Sequence, residues 1–285
     1  MVTVWQVDFY RRPMQDDAGQ PLWELVVCEA SSGLRKSAWC PQVKANVAWL
    51  VSALQKIGNN HLPDQLQVFR PQAVSLVQEA AQRLGIGVEA TRHVPVLKQF
   101  LQERAAVYPT LPGYTRQPYE PVALESPPPV PIPEALWGDR WRFGAIAAGE
   151  FLPAFEHKPI PVRALPTAYL PVNIGLSSAQ SIPGVIIDGG RVSMRLVQWL
   201  VEAHPSYLNY IPGDPDGLLL EAGLVDRWIL ATFEDEEVKA AARTFQERQQ
   251  AAKGLHFLLV QPDDSGMTYS GLWLLRREET APLSS

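Results

Sequence analysis

The order of strands and helices along the chain predicts a mixed α/β protein with two domains. The N-terminal part begins with three strand-like segments and then alternates helices and strands. A Pro-rich stretch, PYEPVALESPPPVPIP, follows at residues 118–133. The remaining sequence again alternates strand-like and helix-like segments, and a length of 285 residues favours two domains.

The N-terminal elements follow from residue type and spacing. Segments rich in β-branched and aromatic residues predict strands, and apolar residues spaced by three and four predict helices. The strands are VTVWQVDFY, PLWELVVCEA, LRKSAWC, QLQVFR and GVEAT, and the helices span residues 43–57, Ala73 to Leu84, and Pro95 to the residue before Pro109. The order βββαβαβα is that of the ribonuclease H-like fold, a mixed sheet with helices on its faces. We therefore expect such a domain at residues 1–117.

The C-terminal part predicts an α+β domain at residues 136–285, connected by a linker at residues 118–135. Repeated prolines favour extended backbone, and the same segment fits a stiff strap lying across one domain. The predicted elements are a strand at RWRFGAIAA, a helix at RVSMRLVQWLVEA, two strands in GLLLEAGLVDRWILATF, a helix at EDEEVKAAARTFQERQQAAKG with Gly254 as its cap, and a hairpin at residues 255–275. Because the hairpin strands do not alternate polar with apolar residues, we expect both of their faces to be covered.

Charge limits the possible partners. The net charge of −5 argues against an indiscriminate polyanion binder. Residues 1–118 carry a net charge of +3 and the remainder −8, so the N-terminal part is the better candidate surface for nucleic acid. There is no apolar run long enough to cross a bilayer and no recognisable signal or transit peptide.

The residues around Asp8 do not favour catalysis. A ribonuclease H-type nuclease needs clustered carboxylates to hold magnesium, and Asp8 suits the first ligand position. The first predicted helix has no Asp or Glu, however, and the fourth strand leads into Arg70, whose guanidinium repels metals. We expect a protein that is not an enzyme and has no metal or other cofactor, in which Asp8 forms a salt bridge with Arg11, Arg12 or Arg70. The segment IIDGGRVS could cradle a phosphate on helix amides, but the signal is weak and a plain turn is the favoured interpretation.

Four segments combine aromatic residues with arginine or lysine, as single-stranded RNA binding requires. They are DFYRRP, RKSAWC, VFRPQ and WGDRWRF, and the predicted RNA-binding residues are Arg11, Arg12, Arg35, Lys36, Arg70, Arg140 and Arg142. Adjacent strands are expected to bring Arg11, Arg12 and Arg70 together as a positive surface. The alternative is that the aromatic residues belong to the core.

The motifs VDFYRRP, PLWELVVCE, VFRPQ, IPEALWGDRWRF, GLHFLLVQ and GLWLLRR resemble those of the Tab-two (Atab-two) family, in the family's order from about Val4 to Arg276. The resemblance implies a non-enzymatic RNA-binding factor in the synthesis of photosystem reaction-centre subunits, notably PsaB. It marks Asp8, Trp273, Leu274 and Leu275 as family signature residues. Its implied partner is single-stranded messenger RNA of photosystem subunits, with translation or thylakoid assembly proteins as further partners. Because plastid members carry a transit peptide, it also implies a cyanobacterial cytoplasmic location, with peripheral association at thylakoids left open.

Two other functions compete with this one. The protein could be an assembly scaffold that recruits partners through the Pro-rich segment and the acidic C-terminal part, without binding RNA. It could also be a residual metal-dependent nuclease that uses Asp8.

Overall fold

The computed structural model describes residues 2–59 and 61–278. The chain divides after Glu125 into two compact units. Residues 279–285 of the predicted C-terminal domain lie outside the described residues.

The first unit has the predicted element order. Its described elements are β1 (Val4–Gln15), β2 (Pro21–Cys28), β3 (Arg35–Pro41), α1 (Val47–Gly58), β4 (Gln65–Val68), α2 (Pro71–Leu84), β5 (Gly87–Ala90) and α3 (Pro95–Val107). The sheet order is β3-β2-β1-β4-β5, with β1, β2 and β3 antiparallel and β4 and β5 parallel to β1. This mixed sheet is a ribonuclease H-like fold, as the sequence predicted.

Alternate residues of the strands supply two cores, one on each face of this sheet. Val7 and Phe9 of β1 pack with residues of α1 and α2. On the other face, Val26 of β2 packs with Leu97 and Leu101 of α3. Asp8 therefore points towards the α3 side of the sheet.

The first helix begins later than the predicted start at residue 43. Asn46 is its N-cap, and the side-chain oxygen of Asn46 accepts the backbone N–H of Trp49 at 3.0 Å. Val43 lies before this cap in a short 3-10 turn and is 73% exposed. The apolar spacing extended the prediction beyond the cap that physically starts the helix.

The second unit is built on two sheets. Its described elements are β6 (Val130–Pro131), β7 (Arg140–Ala147), α4 (Ala148–Glu156), β8 (Val162–Ala164), β9 (Ser181–Asp188), α5 (Ser193–Ala203), β10 (Pro205–Ile211), β11 (Asp216–Ala222), β12 (Asp226–Phe233), α6 (Glu236–Ala251), β13 (Leu255–Gln261) and β14 (Gly271–Arg276). One sheet has the order β10-β11-β12-β6 and the other β7-β9-β13-β14-β8.

Helix α4 and strands β6, β8, β9 and β10 were not among the predicted elements. Proline accounts for two of these omissions, because it normally interrupts regular structure. Pro153 lies inside α4, and Pro205, which was expected only to end α5, is the first residue of β10.

The proposed linker at residues 118–135 is not uniform. Val122 and Leu124 pack against the α3-side core of the first unit. Val130–Pro131 forms β6 and pairs in parallel with β12 of the second unit. The Pro-rich composition therefore spans residues with two different structural roles.

The predicted C-terminal hairpin lies in the middle of its sheet and is covered on both faces. Leu258, Trp273 and Leu275 belong to the core that contains α5 and α6. Phe257 and Leu274 belong to a separate core with α4. This arrangement confirms that the two apolar runs lack alternation because both faces of their strands are buried.

Two glycines are needed where this sheet is crowded. A Cβ on Gly184 of β9 would overlap the ring of Phe257 on the neighbouring β13. Gly254 has φ +80° and approaches the carbonyl oxygen of Arg277, while its N–H is donated to Gln249 O at the end of α6. Gly254 thus completes the helix end as predicted, although Lys253 also adopts positive φ.

His256 connects the two sheets of the second unit. Its Nε2 accepts the backbone N–H of Leu208 on β10 at 2.8 Å, and its Nδ1 lies 2.8 Å from Gly254 O. The Nδ1–H tautomer satisfies both contacts. Burial is the main cause that lowers the pKa of His256 to about 4, so the imidazole is neutral in the folded protein at pH 7.

None of the helices within the described ranges is long and apolar enough to cross a membrane.

Replacing Trp273 with alanine should destabilise the protein by about 3–5 kcal/mol, because it leaves a large cavity in the core. Urea unfolding of the full chain measures this loss. Trp137→Ala is the matched control, since Trp137 is 57% exposed, and it should cost about 1 kcal/mol at most. Equal losses in the two variants would contradict the core position of Trp273.

Acidification should destabilise the protein through His256. Its pKa is lower in the folded state, so the unfolded state binds more protons below pH about 6.5 and stability falls until about pH 4. A difference of about 2.5 pKa units corresponds to about 3 kcal/mol. Urea midpoints between pH 7 and 4 should fall less steeply for His256→Gln than for the unaltered protein. Identical slopes would show that His256 does not titrate in this way.

Candidate nucleic-acid interface

The first group of predicted site residues surrounds Asp8. Arg70 is the N-cap residue of α2 and follows β4, the parallel neighbour of β1, so the fold brings it to Asp8. Arg70 Nε donates to Asp8 Oδ1 at 2.9 Å. Its two terminal nitrogens donate to the carbonyl oxygens of Pro121 at 2.9 Å and Ala123 at 3.2 Å. The guanidinium carbon also lies 4.2 Å from the ring centroid of Tyr10.

A second guanidinium, that of Arg12, reaches Asp8 from four residues along β1. Arg12 Nη2 lies 2.9 Å from Asp8 Oδ2, and Arg12 Nε donates to Glu24 Oε2 at 3.0 Å. Its Nη1 donates to the hydroxyl of Tyr119 at 2.8 Å. The hydroxyl of Tyr108 donates to Glu24 at 2.6 Å, and Arg104 pairs with the same carboxylate.

Opposing effects act on the ionisation of Arg12. Burial works to lower the pKa of the guanidinium, but the negative charge of Asp8, with smaller contributions from Tyr119, Tyr108 and Glu24, outweighs burial and raises the pKa. Arg12 therefore stays charged inside the unit, where only its carboxylate partners compensate its charge.

The arrangement around Asp8 is unsuited to holding magnesium. Two carboxylates, Asp8 and Glu24, face three guanidiniums, and both Asp8 oxygens are already occupied. Within residues 2–59 and 61–278, no group of three or more His, Cys, Asp or Glu side chains could hold a metal ion. The prediction that Asp8 is a salt-bridge partner is confirmed, with Arg12 and Arg70 as the partners.

The prediction that Arg12 and Arg70 bind RNA is wrong. Arg12 is 3% and Arg70 4% exposed, and their donors are directed to Asp8, Glu24 and the residues around Tyr119. A guanidinium that is buried and paired in this way does not contact an RNA phosphate.

The remaining predicted residues of the first unit are exposed but separated. Arg11 is opposite Trp23 in the sheet, on the face away from Asp8. Lys36 is opposite Val27, on the other side of β2 from Arg11, and is displaced from Arg11 by about 13 Å along the strand direction alone. Arg35 pairs with Glu103 of α3. The expected positive surface of Arg11, Arg12 and Arg70 is therefore not formed.

In the second unit, the predicted residues Arg140 and Arg142 meet at Asp188. Arg140 Nε donates to Asp188 Oδ2 at 2.5 Å and Arg142 Nη1 to the same oxygen at 2.6 Å. Gln261 at the end of β13 donates to Asp188 Oδ1 at 2.8 Å. Arg140 also pairs with Asp264. The side chains of Arg140 and Arg142 are 55% and 39% exposed, whereas that of Asp188 is 4% exposed.

The arginines keep Asp188 ionised. Burial works to raise the pKa of this carboxyl, but the hydrogen bonds from Arg140 and Gln261, together with the charges of the two arginines, outweigh burial and lower the pKa. Asp188 in turn holds two guanidiniums in position although their side chains remain partly exposed.

A cleft of about 450 Å³ lies beside this group, and we call it the Trp137 cleft. Its lining residues are Trp137, Asp139, Gly189, Gly190, Arg191, Val192, Pro262 and Asp263. It follows the carboxyl ends of β9 and β13, which are parallel neighbours, and ligands of open α/β sheets bind at such ends. Trp137 is 57% exposed, and its ring nitrogen donates to Ile132 O at 3.3 Å, which holds the ring in place.

Two family models cover most of the chain. The model for the N terminus of the RNA-binding protein Tab2/Atab2 matches residues 4–104, and that for its C-terminal domain matches residues 119–276. The chain belongs to the Tab2/Atab2 family. The resemblance predicted from the motifs is confirmed.

Individual relatives of this Tab2/Atab2 family member are found in plants. "Protein TAB2 homolog, chloroplastic" from Arabidopsis thaliana is 28% identical over 279 residues, which are 95% of this chain and 74% of that protein. The Zea mays protein of the same name is also 28% identical, covering 95% of this chain and 70% of that protein.

Solved structures that resemble part of the chain are integrase catalytic core domains. That of BIV integrase has a TM-score of 0.27 and 14% identity, covering 37% of this chain and 65% of that one. That of HTLV-2 integrase, in complex with magnesium, has a TM-score of 0.26 and 19% identity, covering 38% and 75%.

The four residues that the resemblance marked as family signature residues are interior residues in this structure. Asp8 is fully buried, and Trp273, Leu274 and Leu275 are each 4% exposed or less. None of the four faces solvent, so their structural role is to stabilise the two units.

Sequence reasoning missed Glu24, Tyr108 and Tyr119 in the first unit and Asp188 and Gln261 in the second. Glu24 had a detectable signal, because a single carboxylate within the apolar strand PLWELVVC requires a buried partner. The two tyrosines had none, since their contacts with Glu24 and Arg12 join positions 84 and 107 residues apart.

Asp8→Ala should destabilise the protein by about 3–5 kcal/mol, because it leaves buried arginines without their carboxylate. The double variant Asp8→Ala/Arg70→Met should lose less than the sum of the single losses, since Arg70 then no longer needs a partner. Urea unfolding of the single and double variants gives a double-mutant cycle, which measures the coupling free energy between Asp8 and Arg70. Glu103→Ala, which removes the exposed partner of Arg35, serves as control and should cost about 1 kcal/mol or less. Strict additivity would show that Asp8 and Arg70 are not coupled.

Proposed function

We propose that this protein is a non-catalytic, single-stranded RNA-binding factor that supports the synthesis or assembly of photosystem reaction-centre subunits. The observation that carries the proposal is membership of the Tab2/Atab2 RNA-binding family, whose two domain models match both parts of the chain. The two relatives in Arabidopsis thaliana and Zea mays are named as chloroplastic TAB2 homologs, which favours a role in a photosynthetic compartment.

The Asp8 site supports the non-catalytic assignment. Magnesium-dependent cleavage needs carboxylate oxygens that are free to coordinate the metal. The two oxygens of Asp8 are engaged by Arg12 and Arg70, and a metal there would also meet their positive charges. The ribonuclease H-like fold is then retained as a scaffold.

We place the main RNA contact on the second unit, although the net charge of the sequence favoured the first. Arg140 and Arg142 are exposed and held in position by Asp188, and Trp137 offers an exposed ring on the same unit. Arginine for phosphate and an aromatic plane for bases are the two requirements of single-stranded RNA binding. Arg11 and Lys36 supply additional phosphate contacts from the first unit.

The messages of photosystem subunits are the proposed target, and translation or thylakoid assembly proteins the proposed partners. The proposed location is the cytoplasm of a cyanobacterium, with peripheral contact to thylakoids through those partners. These assignments rest on the family and on the named relatives.

RNA binding should weaken as salt rises, because phosphate contacts release counterions. Fluorescence anisotropy with a labelled single-stranded 20-mer measures the affinity at several salt concentrations. Arg140→Ala/Arg142→Ala should lower the affinity and reduce the slope of log K against log salt by about 1 to 2. Arg243→Ala/Arg248→Ala removes two exposed charges from α6 and is the matched control.

Each outcome of this experiment is informative. No binding by the unaltered protein would overturn the proposed function and favour a scaffold that binds only proteins. Equal losses of RNA affinity in both double variants would be consistent with the proposed RNA-binding function but would reject the surface around Asp188 as the RNA contact. Shortened RNA after incubation with magnesium or manganese would contradict the non-catalytic assignment.

A further inference from the structure

The Trp137 cleft combines unpaired charged groups with an exposed aromatic ring. The carboxylate of Asp139 lies against Gly190, where φ is +52° and a Cβ would overlap it. Across the residues that the structure describes, neither the Asp139 carboxylate nor the Arg191 guanidinium has a hydrogen-bond or ion-pair partner. Asp263 Oδ1 accepts the N–H of Ser265 at 2.9 Å, and the side chain of Ser265 also hydrogen-bonds to this carboxylate. The cleft therefore presents acceptors and donors that do not satisfy one another.

The charge of the lining favours a base over a phosphate. Asp139 and Asp263 repel a phosphate group, and a single guanidinium, that of Arg191, opposes them within the cleft. Ionised carboxylates are acceptors only, so their natural ligand is a group with N–H donors. The ring of Trp137 adds a surface on which a flat heterocycle stacks.

Guanine fits this set of groups best. Its N1–H and N2–H groups are adjacent donors that a carboxylate can accept together. Its O6 and N7 atoms are adjacent acceptors for the fork of an arginine, which is the commonest specific contact to guanine in nucleic acids. Uracil has a single N–H donor, and adenine and cytosine lack a ring N–H. A cleft of about 450 Å³ lies in the lower part of the range of small-molecule sites, which suits one nucleotide.

We propose that the Trp137 cleft binds one unpaired guanine of the RNA, with the base stacked on Trp137, its N1–H and N2–H donated to Asp139 or Asp263, and its O6 and N7 accepting from Arg191. This assignment deepens the proposed RNA-binding function and rests on it for the identity of the polymer. The exposed Arg140 follows Asp139 directly in the chain and is placed to contact the adjoining phosphate.

The test compares three labelled single-stranded heptamers, AAAGAAA, AAAIAAA and AAAAAAA, where I is inosine, by fluorescence anisotropy on the full chain. Inosine keeps N1–H, O6 and N7 but lacks the N2 amine. The guanine heptamer should bind roughly tenfold more tightly than the adenine heptamer, because a good bidentate base contact has about this effect or more. The affinity for the inosine heptamer should lie between those for the guanine and adenine heptamers.

Variants assign the preference to the cleft. Trp137→Ala should weaken the guanine heptamer roughly tenfold, while Trp137→Phe should restore most of the affinity because it retains a stacking plane. Asp139→Asn/Asp263→Asn should abolish the preference for guanine over adenine. Asp264→Asn is the matched control, since Asp264 pairs with Arg140 and does not line the cleft, and the preference should be unchanged.

The outcomes separate this inference from the proposed function. Salt-dependent binding of all three heptamers with equal affinity would overturn the guanine assignment and leave RNA binding intact. No binding of any heptamer would overturn the proposed function. In that case ligand-observed NMR with guanosine monophosphate tests whether the Trp137 cleft binds a guanine nucleotide. A binding signal that is lost in Trp137→Ala supports a nucleotide site in the cleft. The absence of any binding signal overturns the guanine assignment.

Discussion

The buried carboxylate of Asp8, held between two guanidiniums, is the constraint on which the first unit depends. Charges taken out of water are costly unless partners and hydrogen bonds surround them. Arg70 therefore needs the carbonyl oxygens of Pro121 and Ala123, and Arg12 needs Glu24 and the hydroxyl of Tyr119. This requirement fixes residues 119–123 against the sheet. The same pairing removes the free carboxylate oxygens that metal-dependent cleavage would need.

The first unit was largely predictable because its signals are local. Each helix carries apolar residues at spacings of three and four, and β-branched strands separate the helices, so element order and sheet type followed. The pairing of Asp8 with arginine was also predictable from neighbouring strands. The positions of the arginines were not, although the two-residue period of a strand places Arg11 and Arg12 on opposite faces. The role of Tyr119 depends on a contact across 107 residues, which no local pattern contains.

The second unit was harder to predict because some of its prolines lie inside or at the start of regular elements that proline normally interrupts. Pro153 lies within a helix and Pro205 begins a strand, although each residue usually indicates an interruption. The hairpin was predictable for the opposite reason. Its uninterrupted apolar runs are typical of strands whose two faces are both covered. Trp273 and Leu274 accordingly belong to different cores.

The two units use the same pair of chemical groups with different exposure, and this difference is the basis for the proposed RNA contact on the second unit. In each unit one buried aspartate at a strand holds two arginines. Around Asp8 the arginines are also buried, so their positive charge is paired with carboxylates inside the unit. Around Asp188 the guanidiniums remain partly in solvent, where they can reach a phosphate while the carboxylate fixes their direction. Because Asp188 and Asp264 offset part of that charge, phosphate attraction alone gives modest affinity. We therefore propose that selectivity comes from contacts to bases, with Trp137 as an exposed ring adjacent to those arginines in the chain.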